Sequence, residues 1–372
     1  MVCAMWGWLL AAVAGAYGVG LLRAALAPQL SASVYPSPSA AEAEIEALAG
    51  AHPELCHLET LGCSSEGRPL RALRLRAPSA VDDVEEAGLA RPRLLVSAQL
   101  HAAEFVGSFV ARAVARRLAE GYGRDGGITA LLEAAEIWIA PLLNPDGAQR
   151  VWRRGGFSGL AGARLTSRGV DPNRNFPSPR RCRSGPAVLR RGLAWNSARG
   201  RPGSAYYRGP RPLSEPECLA LARLCKRERF CAAVNFHSFG GVVYMPAVSG
   251  RDGAGARSVF EVFFGAFQSR QPLRRYRPVP ERWSAIGGQL DAFLLAALGT
   301  PSVTVEVSRP GLYLLKPSRL FSAFWIANPE DPEPWVRNDA EATIYALREI
   351  LARSGGRPCA ALEPELATSV PD

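Results

Sequence analysis

Apolar residues along this chain recur with two periods, and the two alternate. "RLLVSAQL" (93–100), "AEIWIAPLL" (135–143), "FCAAVNFHS" (230–238), "GVVYMP" (241–246) and "PSVTVEVS" (301–308) are short, almost wholly apolar runs ended by turn residues. Such runs predict strands covered on both faces. "LETLGCSSEGRPLRALRL" (58–75) predicts two further strands around a Ser-Gly turn. Between the runs, apolar positions fall at helical spacing over 40–54, 105–120, 214–229, 287–299 and 338–355. The first of these ends near Pro53, and the third carries Ser214 and Glu217 in capping-box spacing. The alternation predicts an α/β fold: a single domain with a mixed, mostly parallel central sheet flanked by helices.

That domain is expected over 35–355. Residues 1–34 form a separate hydrophobic segment and linker, and 356–372 a loose tail. With 372 residues and 48% hydrophobic content the chain can bury a full core. Residues 2–22 carry no charge, and about twenty apolar residues suffice to span a bilayer core. A secretory signal would place a basic group before that run, whereas here the first charge is Arg23, after it. "AALA" and "LSAS" offer cleavage sites, so a cleaved signal and a retained membrane anchor both stand, each implying export; a buried N-terminal helix is the other reading.

The net charge of +10 comes almost entirely from arginine, with Lys226 and Lys316 the only lysines. No nucleic-acid signature accompanies it, so no nucleic-acid partner is expected. Between Phe176 and Leu213 lies an irregular Arg/Gly/Pro-rich stretch without an acidic residue. Eight cysteines show neither CxxC nor zinc-ribbon spacing. In an exported domain some could pair, Cys56 with Cys63 for instance; most read as small buried hydrophobes.

Four polar residues sit at the ends of predicted strands: His101 and Glu104 in "HAAE", His237 in "VNFHSFGG" and Glu306 in "VTVEVSRPG". Open α/β sheets bind ligands outside the carboxyl ends of their strands, so the placement itself suggests a site. Two imidazoles and a carboxylate make a three-ligand zinc set that leaves a fourth position for water. The HxxE spacing places His101 and Glu104 one helical turn apart on one side. His52 and His57 fit no motif.

"HAAE", "NPDG", "RVWRR", "DPNRNF", "FHS", "IGGQLD" and "VEVS" occur in that order, and over about 35–353 the chain resembles the zinc carboxypeptidases of the carboxypeptidase A type. The resemblance implies that His101, Glu104 and His237 hold one Zn2+. It makes Glu306 the base for a water whose pKa zinc lowers from ~16 to roughly 7. Arg153 becomes the donor to the developing oxyanion, and Asn173 and Arg174 the clamp on a free C-terminal carboxylate. "NPDG" is read as a tight turn ahead of Arg153.

The expected partners are therefore peptide or protein C-termini, and the chain is expected to act as a monomer. Three positions depart from the family pattern. Trp283 stands where a mobile tyrosine caps the bound residue, and Phe239 replaces a second tyrosine. Leu290 falls at the specificity pocket, with no acid there to favour basic side chains. No inhibitory pro-domain is expected before residue 35. Two alternatives stand beside the peptidase: a related zinc amidohydrolase acting on cell-wall peptides or acylated amino acids, and a non-catalytic binding module on the same fold.

Overall fold

The computed structural model describes residues 34–78, 91–156, 159–178, 201–246, 254–281, 287–311, 319 and 322–354, together with 12, 14, 15, 18 and 19. Trp283, the segment 179–200, the tail and most of the N-terminal apolar run lie outside the described residues. No helix among the described residues is long and apolar enough to cross a membrane.

In chain order the elements are α1 (Pro38–Ala51), β1 (Cys56–Cys63), β2 (Pro69–Leu75), β3 (Arg93–Ala98), α2 (Phe105–Gly121), α3 (Gly126–Ala134), β4 (Glu136–Ala140), α4 (Pro145–Arg153) and α5 (Leu160–Arg164). A short 3-10 turn, Pro172–Arg174, precedes α6 (Pro216–Glu228), β5 (Ala232–Ser238), β6 (Val242–Pro246), α7 (Ala254–Ser269) and β7 (Arg277–Glu281). The last four are α8 (Leu290–Leu298), β8 (Ser302–Val307), α9 (Ala323–Ala327) and α10 (Glu333–Ser354).

The eight strands form one sheet in the order β1-β2-β4-β3-β5-β8-β6-β7. The central ladders β4-β3, β3-β5 and β5-β8 are parallel, as is β6-β7. β1-β2, β2-β4 and β6-β8 run antiparallel. The sheet is therefore mixed, with a parallel centre, as the buried runs predict.

Strand periodicity sorts the side chains onto two faces. Leu94, Val96, Ile137, Ile139, Val234, Phe236, Val303 and Val305 belong to one buried cluster with apolar residues of α2, α7 and α10. Leu95, Trp138 and Ala233, offset by one, belong to a second with α6 and α8. On that second face the polar residues Asn235 and His237 continue β5, and Ser302, Thr304 and Glu306 continue β8. The same alternation that builds the core thus delivers His237 and Glu306 side by side at the strand ends.

Some expectations need correction. α6 starts at Pro216, with Glu215 rather than Ser214 at its N-cap and no side-chain cap bond. Proline at the first helical position sets that start, and Ser214 instead donates to Glu215 at 3.0 Å. "NPDG" is the start of a helix rather than an isolated turn: Asn144 caps α4, accepting the Gly147 amide at 3.0 Å. Cys56 and Cys63 occupy opposite ends of β1 and are both free. Seven strand steps of about 3.3 Å separate their Cα atoms by roughly 23 Å, which no disulfide spans.

Candidate metal centre and active site

His101 and Glu104 lie in the turn between β3 and α2, ahead of the helix rather than on its face. The HxxE pair converges because the chain turns here, the Glu104 amide donating to the His101 carbonyl at 3.3 Å. Glu104 is the N-cap of α2, yet its carboxylate makes no cap bond and faces the imidazoles instead. Asn328 secures the turn from outside. Its oxygen accepts the Val106 amide at 2.9 Å, and its amide donates to the Ala103 carbonyl at 2.6 Å. Gly107 lets α2 approach β5 closely, since a Cβ there would sit 3.1 Å from Phe236, next to His237.

The two Nδ1 atoms, of His101 and His237, lie 3.1 Å apart. The Glu104 carboxylate sits between them, Oε1 2.8 Å from His101 Nδ1 and Oε2 2.7 Å from His237 Nδ1. All three side chains are buried, and their ligand atoms fall within 4.8 Å of one another, a set able to hold one metal ion. Two imidazoles and a carboxylate are a zinc donor set. Burial would raise the Glu104 carboxyl, but the two imidazoles outweigh it and hold Glu104 well below the ordinary range.

A ligating histidine needs its other nitrogen occupied to fix the ring and tautomer. Behind His101, Nε2 lies 3.2 Å from Asp171 Oδ1. Arg164, the last residue of α5, binds Asp171 Oδ2 at 2.8 Å and places the same nitrogen 2.9 Å from His101 Nε2. Burial pushes the Asp171 carboxyl up; Arg164, Arg174 and His101 more than offset it, so Asp171 stays ionised. Behind His237, the Asn235 side-chain amide is 2.9 Å from Nε2. Of these supporting residues, Asp171 lies within a quoted motif and Asn235 shares a strand face with His237. Arg164 and Asn328 carried no local signal.

Glu306 is the register partner of His237 across the parallel β5-β8 ladder. Burial first, then the charge of Glu104, raises its carboxyl to about 8. Asn173 Oδ1 accepts the Leu290 amide at 2.9 Å, which leaves the Asn173 NH2 as the donor for an incoming acceptor. Arg174 is buried beside it, donating from Nη1 to the Asn173 carbonyl at 2.6 Å, with its guanidinium 5.9 Å from the Tyr206 ring. Gly288 is obligatory here, because at φ +86 a Cβ would lie 2.0 Å from the Arg174 carbonyl oxygen.

Other expected residues take different places. Arg153 ends α4 and is exposed, as is Arg154. Leu290 meets Asn173 through its amide, while its side chain is fully buried in the apolar cluster with Phe176 and Phe293. Phe239 is 39% exposed.

The family model of the zinc carboxypeptidases matches residues 41–324. Carboxypeptidase A2 of Rattus norvegicus is 30% identical over 210 residues, 55% of this chain and 44% of that protein. Carboxypeptidase D of Mus musculus is 40% identical over 151 residues, 37% of this chain and 11% of that protein. The chain thus spans less than half the length of the curated relatives it matches. Among solved structures, thrombin activatable fibrinolysis inhibitor superposes with TM-score 0.66 at 21% identity, covering 86% of this chain and 74% of that one. The match to 41–324, together with a buried His-Glu-His set at the strand ends, makes this chain a member of the zinc carboxypeptidase family.

Proposed function

We propose that the protein is a zinc metallocarboxypeptidase that hydrolyses the C-terminal peptide bond of peptides or proteins. The observation that carries this reading is the convergence of both Nδ1 atoms on the Glu104 carboxylate, with Glu306 paired to His237 on the adjacent strand. Zinc, held by His101, Glu104 and His237, would supply Lewis acidity and an acidified water.

The remaining chemistry belongs to the chain. Glu306 takes a proton on its carboxylate and returns it to the leaving amine. Its carboxyl is half-buried beside His237 on the neighbouring strand. Arg174 and the free NH2 of Asn173 form the clamp for a substrate's terminal carboxylate. Arg153 is the oxyanion donor in this reading, carried by a helix whose cap residue Asn144 donates to the Leu100 carbonyl beside His101. By the family resemblance Trp283 takes the position of the tyrosine that caps the bound residue, with an indole N–H in place of the phenol. Leu290 contributes its backbone amide to the clamp and an apolar base beneath it, and no acid is placed there to select basic side chains. Export through the apolar segment 2–22 completes the reading.

Glu306→Gln tests the mechanism. The variant should keep its zinc and lose turnover by roughly 10²-fold or more. Near-normal turnover would remove Glu306 from the chemistry.

A further inference from the structure

Glu306 has to be aimed, and the sheet alone does not finish that task. β8 is held on one side by β5 and on the other by β6, and the Gly241 amide donates to the Glu306 carbonyl at 2.8 Å. Beyond Val307 the strand ends. Ser308 turns the chain with φ +69, a left-handed conformation that a serine holds only when its surroundings impose it. The acceptor for the Ser308 amide is no strand neighbour. It is the Tyr276 hydroxyl, 3.1 Å away.

That hydroxyl is itself fixed. It donates to Asp339 Oδ2 at 2.7 Å, while Gln271 and Asn338 donate to Oδ1 at 2.9 and 2.8 Å. The Gln271 oxygen accepts the Tyr276 amide at 2.8 Å, and the Asn338 oxygen accepts the amides of Leu273 and Arg274 at 2.8 and 3.0 Å. Tyr276, Ser308, Asn338 and Asp339 are buried without measurable exposure, and Gln271 is nearly so. A carboxylate buried among neutral donors is destabilising relative to an apolar core. Here it fixes one phenolic hydroxyl, and that hydroxyl reaches the backbone two residues beyond Glu306.

We propose that Tyr276 is a positioning residue: its hydroxyl, held by Asp339 of α10, pins the Ser308 amide and thereby aims the Glu306 carboxylate. The proposal rests on the role given to Glu306 above. Tyr276→Phe removes one oxygen and leaves the ring, which packs 6.0 Å from Phe267, in place.

The test combines amide hydrogen exchange with a kinetic cycle on the zinc-loaded full chain: wild type, Y276F, E306Q and the double variant. The Ser308 amide should lose protection in Y276F while zinc content stays at one per chain. On a peptide substrate kcat should fall roughly tenfold or more with KM unchanged. In the E306Q background the same change should have no further effect, because the hydroxyl acts through Glu306. Unchanged Ser308 protection would overturn the proposal whatever the activity. So would wild-type kcat in Y276F, or an equal loss in both backgrounds. A wild-type protein that releases no C-terminal residue would instead refute the peptidase reading, and the exchange measurement would still decide whether Tyr276 holds the strand end.

Discussion

His237 shows how little of a site resides in a single side chain. It is an imidazole one residue from the end of a buried strand, and only the opposing Glu104 carboxylate at 2.7 Å and His101 at 3.1 Å make it one of a set able to hold a metal ion. His237→Ala should therefore remove one of three protein ligands and strip the metal, measurable as zinc per chain after dialysis. Retention of one zinc per chain would show that His237 is no ligand. His101, Glu104 and His237 were legible as one set because two imidazoles and a carboxylate at predicted strand ends match a zinc donor set. Their supports were less so. Asp171 and Arg164 reach His101 from a loop and a helix end 70 and 63 positions away, and nothing in local pattern foretells which segment will close over a ring. Leu290, placed by motif at the specificity pocket, donates its amide to Asn173 and buries its side chain.

Elements were read best where burial is continuous. β3, β4, β5 and β8 stand where their apolar runs predict, because a strand covered on both faces leaves few other conformations open to Val, Ile and Leu. α3, which opens on Gly126 and Gly127, and β7, which contains Pro278 and Pro280, escaped notice. β7 is the last strand of the sheet, and prolines are tolerated at such an edge because no ladder bond is lost on its open side. α10 carries a prediction of its own. Burial raises the Asp339 carboxyl to about 7, its hydrogen bonds from Tyr276, Gln271 and Asn338 only partly opposing this. The folded chain then binds this proton more tightly than the unfolded chain, whose carboxyl titrates near 3.9. Asp339 thus leaves stability highest below about pH 4 and reduces it progressively as the pH rises to about 7, by on the order of 4 kcal/mol. Urea unfolding of wild type and Asp339→Asn across pH 4.5 to 8 should show the difference between them changing along that slope. Parallel curves would mean that Asp339 ionises normally.

At the scale of the whole molecule, the parallel centre of the sheet does what no motif does alone. Neighbouring strands β3, β5 and β8 end on the same edge, so residues 101, 237 and 306 meet although more than 200 positions separate the first from the last. Asn173 and Arg174, the proposed clamp, are docked against the start of α8 by the Leu290 amide and by the close approach of Gly288. In the proposed reading, metal set, base and clamp belong to one domain, as an exopeptidase requires. The most direct test compares, for the zinc-loaded protein, hydrolysis of one peptide bearing a free C-terminal carboxylate with hydrolysis of its C-terminal amide. The account predicts release of the terminal residue from the free acid at least roughly 10²-fold faster, because only the free acid offers a carboxylate for the charged, bidentate contact of the proposed clamp. Equal rates on the two peptides, or cleavage only at internal bonds, would contradict it.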